Sequence, residues 1–290
     1  MTYLMNLVVM LIIYILLGLS LNLLVGHSGL ISITHAAIYG FGAYITSILV
    51  LHNITSPYIS LLIGTTSAGI LGVIIGYLSI PLKADSFVIG TLALQMLIVS
   101  LFRNVKGITG GSYGLTGIPR PVALVELLDS RSSFLLWATV PILLVGVFIV
   151  VVYFTPFARA LKAVRDNEEI SRAVGKSLAL LRTQNMAIAS LVAGFAGGIF
   201  ALYSSYIDPS SFTLDVSILI LMIVVIGGSG NLKGPIAGSV LLLILPELLR
   251  FLPLSKESTP YLRQMLYGFI LIVVMRLRPQ GLLGSYRYNR

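Results

Sequence analysis

The chain has 290 residues, of which 57% are hydrophobic and 10% charged, with a net charge of +9 and no cysteine. A single globular core of this length cannot hide a mean hydropathy of +0.99, so a water-soluble globule is excluded. Disulfide frameworks and cysteine nucleophiles are excluded too, and the basic excess fits topology signals and lipid headgroup contacts rather than a nucleic-acid partner.

Apolar segments recur along the whole sequence. A membrane-spanning helix needs about 20 apolar residues. The predicted fold is an all-α, polytopic transmembrane helix bundle of eight or nine spans in a single domain over residues 1–290. The count stays open because 214–227 is short and because 27–51 fits a re-entrant segment as well as a span. The predicted spans lie near 4–25, 33–51, 58–80, 86–102, 133–154, 183–206, 214–227, 235–251 and 263–276.

Four polar residues fall inside predicted spans. They are Asn22, His35, Thr91 and Gln95. Intramembrane polar groups are costly and tend to face the interior of a bundle, where they line a solute path or bond one helix to another. Both interpretations are open. On the first, these residues would contact a zwitterionic solute.

The loop at 155–182 has the signals of an amphipathic helix. Thr155 is suited to an N-cap, Pro156 to the first helical position and Gly175 to a left-handed C-cap. Such a helix either lies at the membrane surface or docks into a partner. Its predicted apolar face consists of Leu161, Val164, Ile170, Ala173 and Val174, and its polar face includes Arg159, Lys162, Arg165, Asp166 and Arg172.

Basic residues predict the orientation of the bundle. The 155–182 loop holds six Lys or Arg, and the chain after Met275 holds four arginines without an acid. We therefore expect the 155–182 loop and the 277–290 tail in the cytoplasm and the 103–132 loop outside. Nine spans would place the N-terminus outside as well.

Other chemistries find weaker support. Gly175-Lys176-Ser177 lacks the upstream glycine of a phosphate-binding loop, and the three histidines lack the spacing of metal ligands. An intramembrane hydrolase built on the 26–29 turn is one alternative. An ion-coupled secondary transporter is another, although Asp208, Asp215 and Glu247 lie near span ends. Pairs of glycines four residues apart, such as Gly72 with Gly76 and Gly194 with Gly198, predict close helix packing.

An ordered series of motifs covers the chain from residue 20 to residue 282. It includes Ser-Leu-Asn-Leu-Leu-Val-Gly at 20–26, Thr-Gly-Gly-Ser-Tyr-Gly-Leu at 109–115 and Gly-Gly-Ser-Gly-Asn-Leu-Lys-Gly-Pro at 227–235. Further blocks lie at 29–32, 35–44, 160–168, 208–212, 245–250 and 279–282. In these blocks the sequence resembles the permease subunits of ABC importers for branched-chain amino acids, in particular the M-type of the two membrane subunits.

The resemblance implies that the 155–182 loop couples the permease to an ATP-hydrolysing subunit. Glu169 stands six residues before Gly175, as in importer coupling loops, with Ile170 and Ser171 in place of two alanines. The implied coupling residues are Arg159, Leu161, Lys162, Arg165, Glu169 and Gly175.

The resemblance also implies an assembly in a prokaryotic plasma (inner) membrane. Its other parts are a second permease subunit, two cytoplasmic ATPase subunits and an extracytoplasmic solute-binding protein. ATP and Mg²⁺ belong to the ATPase subunits, and this chain has no catalytic activity or cofactor. The implied solutes are leucine, isoleucine and valine, with urea or another small solute as the alternative.

Overall fold

The computed structural model describes residues 2–80, 82, 84–121, 130–248, 259–278 and 280–284. The helices are α1 (Thr2–Asn22), α2 (His35–Leu51), α3 (Pro57–Leu78), α4 (Ala84–Asn104), α5 (Lys106–Thr109), α6 (Ser130–Phe154), α7 (Pro156–Asp166), α8 (Glu168–Ala173), α9 (Leu178–Ser204), α10 (Leu214–Gly227), α11 (Lys233–Leu248) and α12 (Thr259–Leu277). A π-helical turn, Leu23–His27, continues α1. The short strand β1 (Leu115–Thr116) pairs antiparallel with β2 (Tyr206–Ile207).

The predicted all-α architecture is confirmed, and each of the nine predicted spans overlaps a described helix, with residues 249–251 of the span 235–251 lying outside the described residues. Within the described residues, five helical segments are long and apolar enough to cross a membrane. A sixth is counted if α6 and α7, which are bent by 54° at their junction, form one span. The five segments are Met5–His27, Pro57–Leu78, Asp85–Asn104, Leu178–Ser204 and Pro209–Gly227, and two shorter apolar helices are His35–Leu51 and Gln264–Leu277.

Each end of the bundle brings separate segments of the chain together. At one end, β1 of the 103–132 loop pairs with β2, which follows α9. At the other end, the amides of Leu282 and Leu283 donate to the carbonyls of Ile226 and Gly227 at 2.8 and 2.9 Å. Which end faces the cytoplasm stays a prediction. Arg287 and Arg290, which contribute to that prediction, lie outside the described residues.

Helices α2, α3 and α9 pack closely against one another. Their backbones approach so closely that a Cβ atom on Gly42 would lie 2.4 Å from the carbonyl oxygen of Gly194. A Cβ on Gly72 would similarly lie 2.3 Å from the hydroxyl of Ser190. Small residues permit this approach where lipid provides no hydrophobic force between helices. The predicted glycine packing seams are confirmed.

Candidate functional site

The 155–182 loop forms two helices, α7 and α8, where the sequence predicts one. Asn167 interrupts them with extended backbone angles, and its side-chain oxygen accepts a hydrogen bond from the amide of Ile170 at 2.9 Å. Asparagine is a strong N-cap, and the two glutamates after it favour the first turn of a new helix. The prediction of one continuous helix was therefore wrong.

The predicted ends of this segment are found in the structure. Thr155 occupies the N-cap before Pro156, although its hydroxyl donates to the carbonyl of Val152 and not to the cap. Gly175 has a φ of +79°. The amides of Gly175 and Lys176 donate to the carbonyls of Arg172 and Ser171 at 2.9 and 3.0 Å, which is a Schellman C-cap.

One face of α7 is packed against its own bundle. Leu161 and Val164 are buried, and α7 contacts the π-helical turn after α1 and the start of α9. The guanidinium of Arg165 donates to the carbonyl of Gly26 in that turn, and its side chain is only 12% exposed. Leu161 and Arg165 therefore attach α7 to the bundle and do not face outward.

The opposite side of the helix pair is open. Arg159, Glu169 and Gly175 are exposed, and Lys162 is partly exposed. Ile170 and Val174 are 63% and 73% exposed, so the single apolar face predicted for this segment is divided between a buried half and an exposed half. We call Arg159, Glu169, Ile170 and Val174 the α7–α8 surface. An ion pair between Glu168 and Arg182 ties α8 to α9 beneath it.

Asn22, the first of the polar residues predicted inside spans, joins three parts of the bundle. It is fully buried. Its amide nitrogen donates to the hydroxyl of Tyr153 at 2.8 Å and to the carbonyl of Asn231 at 2.9 Å. Its amide oxygen accepts from the backbone amide of Gly230 at 2.9 Å. Asn22 thus connects α1 with α6 and with the turn between α10 and α11.

His35 begins α2 inside the bundle. Its Nε2 lies 2.8 Å from the hydroxyl oxygen of Ser20 on α1. Because the Ser20 hydroxyl donates its hydrogen to the carbonyl of Leu17, we assign the donor role in the Ser20 contact to Nε2 of His35. This bond joins the start of α2 to α1.

Thr91 and Gln95 on α4 hold the segment that leads into α2. The hydroxyl of Thr91 accepts from the amide of Ile33 at 3.2 Å. The amide oxygen of Gln95 accepts from the amide of Ala37 at 2.8 Å, and its nitrogen donates to the carbonyl of Phe212 at 2.8 Å. All four predicted path residues therefore bond one part of the chain to another. Their role in a solute path stays a prediction.

Asp208 lies at the end of the bundle that carries β1 and β2. Burial acts to raise the pKa of its carboxyl, but hydrogen bonds from Ser210 and Ser211 outweigh burial and lower the pKa below its ordinary value. The turn after α9 therefore keeps a carboxylate whose oxygens are already engaged. Across the described residues, no cluster of three or more His, Asp or Glu is placed to hold a metal ion.

Comparison with known proteins connects this arrangement to one family. The family model described as "branched-chain amino acid transport system / permease component" matches residues 3–275. The high-affinity branched-chain amino acid transport system permease protein LivM of Escherichia coli strain K12 is 31% identical over 95% of this chain and 68% of its own length.

Two proteins of Methanocaldococcus jannaschii are also similar, both named as probable branched-chain amino acid transport permease proteins. LivM is 29% identical over 77% of this chain and 68% of its own length. LivH is 24% identical over 84% of this chain and 79% of its own length. No solved structure matches the chain significantly.

Proposed function

The chain belongs to the permease family of branched-chain amino acid transport systems, and we propose that it is one of two membrane subunits of an ABC importer that carries leucine, isoleucine and valine into the cell. The observation that carries this proposal is the family match over residues 3–275. The chain is a multi-pass membrane protein, and its family consists of transport subunits and not enzymes. The proposed location is the plasma membrane of a prokaryote.

The proposed partners follow from the same assignment. The similarity to both a LivM and a LivH protein supports a second, related permease subunit beside this one. Two cytoplasmic ATPase subunits supply the energy and bind ATP and Mg²⁺, and this chain holds no cofactor. A solute-binding protein delivers the amino acid to the end of the bundle that carries β1 and β2.

The α7–α8 surface is proposed as the contact with the ATPase. A helix that transmits motion must be fixed to the element that it moves, because a loose loop absorbs displacement. Here the buried half of α7 is fixed by Leu161 and Arg165, while Arg159, Glu169 and Ile170 are open to a partner. A displacement of this surface would be transmitted to the π-helical turn at the end of α1 through the hydrogen bond from Arg165 to Gly26.

Uptake of labelled leucine into vesicles tests the proposed function. The vesicles contain this chain with the permease and ATPase subunits encoded beside it, with and without the neighbouring binding protein. We expect uptake only when ATP and all the subunits are present. Absence of leucine uptake, together with ATPase stimulation by a binding protein loaded with urea or another solute, would overturn the substrate and retain the importer.

Two substitutions that change the charge of the α7–α8 surface test the proposed contact with the ATPase subunit. Ile170→Asp together with Arg159→Glu should reduce recovery of the ATPase subunit in pull-downs, because the changes remove apolar area and reverse a charge at an exposed interface. Ile54→Asp is the matched control, since Ile54 is 61% exposed in the turn between α2 and α3. Equal recovery from both variants would refute the contact. Arg165 is unsuited to this test because its side chain holds the fold.

A further inference from the structure

A groove runs between α4 and the beginning of α10, at the end of the bundle that carries β1 and β2. Its volume is about 320 Å³, close to the lower limit of small-molecule sites, which range from about 300 to 1,000 Å³. The α4 side of the groove is one stripe of that helix, from Gln95 to Arg103. At about 1.5 Å per residue, this stripe is about 12 Å long. The lining residues are Gln95, Met96, Val99, Ser100, Arg103, Thr213 and Leu214.

The chemistry of the groove changes along its length. Arg103 is exposed at the outer end of the stripe, and among the described residues its guanidinium forms no ion pair. Met96, Val99 and Leu214 provide an apolar wall beside it. At the deep end lies Gln95, which is 1% exposed and uses one of its two amide hydrogens on Phe212.

We propose that this groove is a binding site for the transported amino acid, an inference that rests on the proposed function. The carboxylate of the solute pairs with Arg103, whose planar guanidinium suits a carboxylate. The aliphatic side chain of the solute lies against Met96, Val99 and Leu214. The free amide hydrogen of Gln95 bonds to a polar atom of the solute as it moves deeper.

The position of Gln95 gives the groove a connection to the interior. Its amide oxygen accepts from Ala37 in the first turn of α2 and from the hydroxyl of Ser217 on α10 at 3.2 Å. The Ser217 hydroxyl accepts in turn from the amide of Ala36. A solute that draws Gln95 toward the groove therefore acts directly on the contact between α2, α4 and α10.

A membrane lipid is the competing occupant, with its acyl chain on the apolar wall and its phosphate on Arg103. The two occupants predict different hydration of the groove. A solute groove is hydrated, whereas an acyl chain excludes water and charged reagents. Because the chain has no cysteine, a single introduced thiol reports this difference without further mutation.

The first experiment measures the reaction of Ser100→Cys with a charged, membrane-impermeant thiol reagent in right-side-out vesicles that hold the complete importer. Leu62→Cys is the matched control. Leu62 is 63% exposed on α3, near the end of the bundle where Ser100 lies, and does not line the groove. We expect Ser100→Cys to react at least about tenfold faster, since a charged reagent does not enter hydrocarbon. Equal rates would overturn the site.

The second experiment measures protection of Ser100→Cys by leucine delivered with the binding protein. Leucine should slow the reaction several-fold. Adding Arg103→Gln should abolish this protection while the thiol stays reactive, whereas Lys106→Gln, which removes a neighbouring exposed charge outside the groove, should preserve it. A reactive thiol that leucine does not protect would show a water-filled crevice and refute the solute site.

ATP-driven leucine uptake in the same vesicles separates the two proposals. Uptake without protection of Ser100→Cys would refute the groove and retain the proposed function. Absence of uptake from the vesicles with the unsubstituted chain would overturn the proposed substrate and, with it, the ligand assigned to the groove.

Discussion

Loss of the Asn22 side chain should destabilise the bundle. Asn22→Ala leaves the amide of Gly230 and the carbonyl of Asn231 without their buried partner, and each unpaired buried group costs roughly 1–3 kcal/mol. We expect a clearly lower melting temperature of the detergent-solubilised protein. Thr66→Ala is the control, because within the described part of the chain the exposed Thr66 hydroxyl bonds only to carbonyls of its own helix. Equal melting temperatures would contradict this role of Asn22.

The sequence predicts which polar residues lie inside the bundle but not what they bind. Asn22, His35, Thr91 and Gln95 stand out because each is polar within an apolar span, and all four are buried. Their partners are backbone groups and hydroxyls far along the chain, such as the carbonyl of Phe212 for Gln95. A pattern of residue types has no information about such contacts, so the sequence alone could not identify the hydrogen-bond partners of these four side chains.

At the scale of elements, the contact between α2 and α9 depends on glycine. A Cβ on Gly197 would lie 1.9 Å from the carbonyl oxygen of Tyr39, so Gly197→Ala must separate the two helices. Overpacking of this kind typically costs about 1–3 kcal/mol, and we expect a lower melting temperature in detergent. Gly146→Ala on α6 is the matched control. Among the described residues, nothing beyond its own helix turn lies within 4 Å of its Cβ position, and alanine favours a helix by roughly 0.5–1 kcal/mol over glycine.

A melting temperature that falls equally for Gly197→Ala and Gly146→Ala would show that the α2–α9 contact tolerates separation.

The 155–182 loop shows which features of an element the sequence could not predict. Its ends at Pro156 and Gly175 were predictable because proline and glycine have strict backbone preferences. The break at Asn167 was not, because one helical period was extended through a residue that can cap a new helix. Ile170 and Val174 were consequently assigned to the same face as Leu161.

At the scale of the whole molecule, hydropathy located the nine helices of 14 or more residues in the described part of the chain. Lipid offers no hydrogen-bond partner to the backbone, so a long apolar segment has little choice but to form a helix. Hydropathy does not predict how those helices pack against one another. The groove between α4 and α10 depends on how two helices far apart in the chain are brought together, and no motif in either segment marks it.

The orientation of the whole bundle is the last prediction, and it decides whether the α7–α8 surface can meet a cytoplasmic partner. The 155–182 loop has six basic and three acidic residues, and short basic loops are retained in the cytoplasm. In cells, an impermeant maleimide should therefore label Ile54→Cys, in the turn between α2 and α3, from outside. Lys176→Cys, which is exposed beside Gly175, should be labelled only after permeabilisation.

Both variants contain one thiol in a chain without natural cysteine, and labelling after permeabilisation shows that each protein is present and reactive. If Lys176→Cys were labelled from outside and Ile54→Cys were not, the bundle would have the opposite orientation to the one predicted. The α7–α8 surface would then lie outside the cell, where no ATP-hydrolysing subunit could reach it. The positions of Leu161 and Arg165 would still explain how α7 is attached to the bundle, but the attachment would serve a different partner.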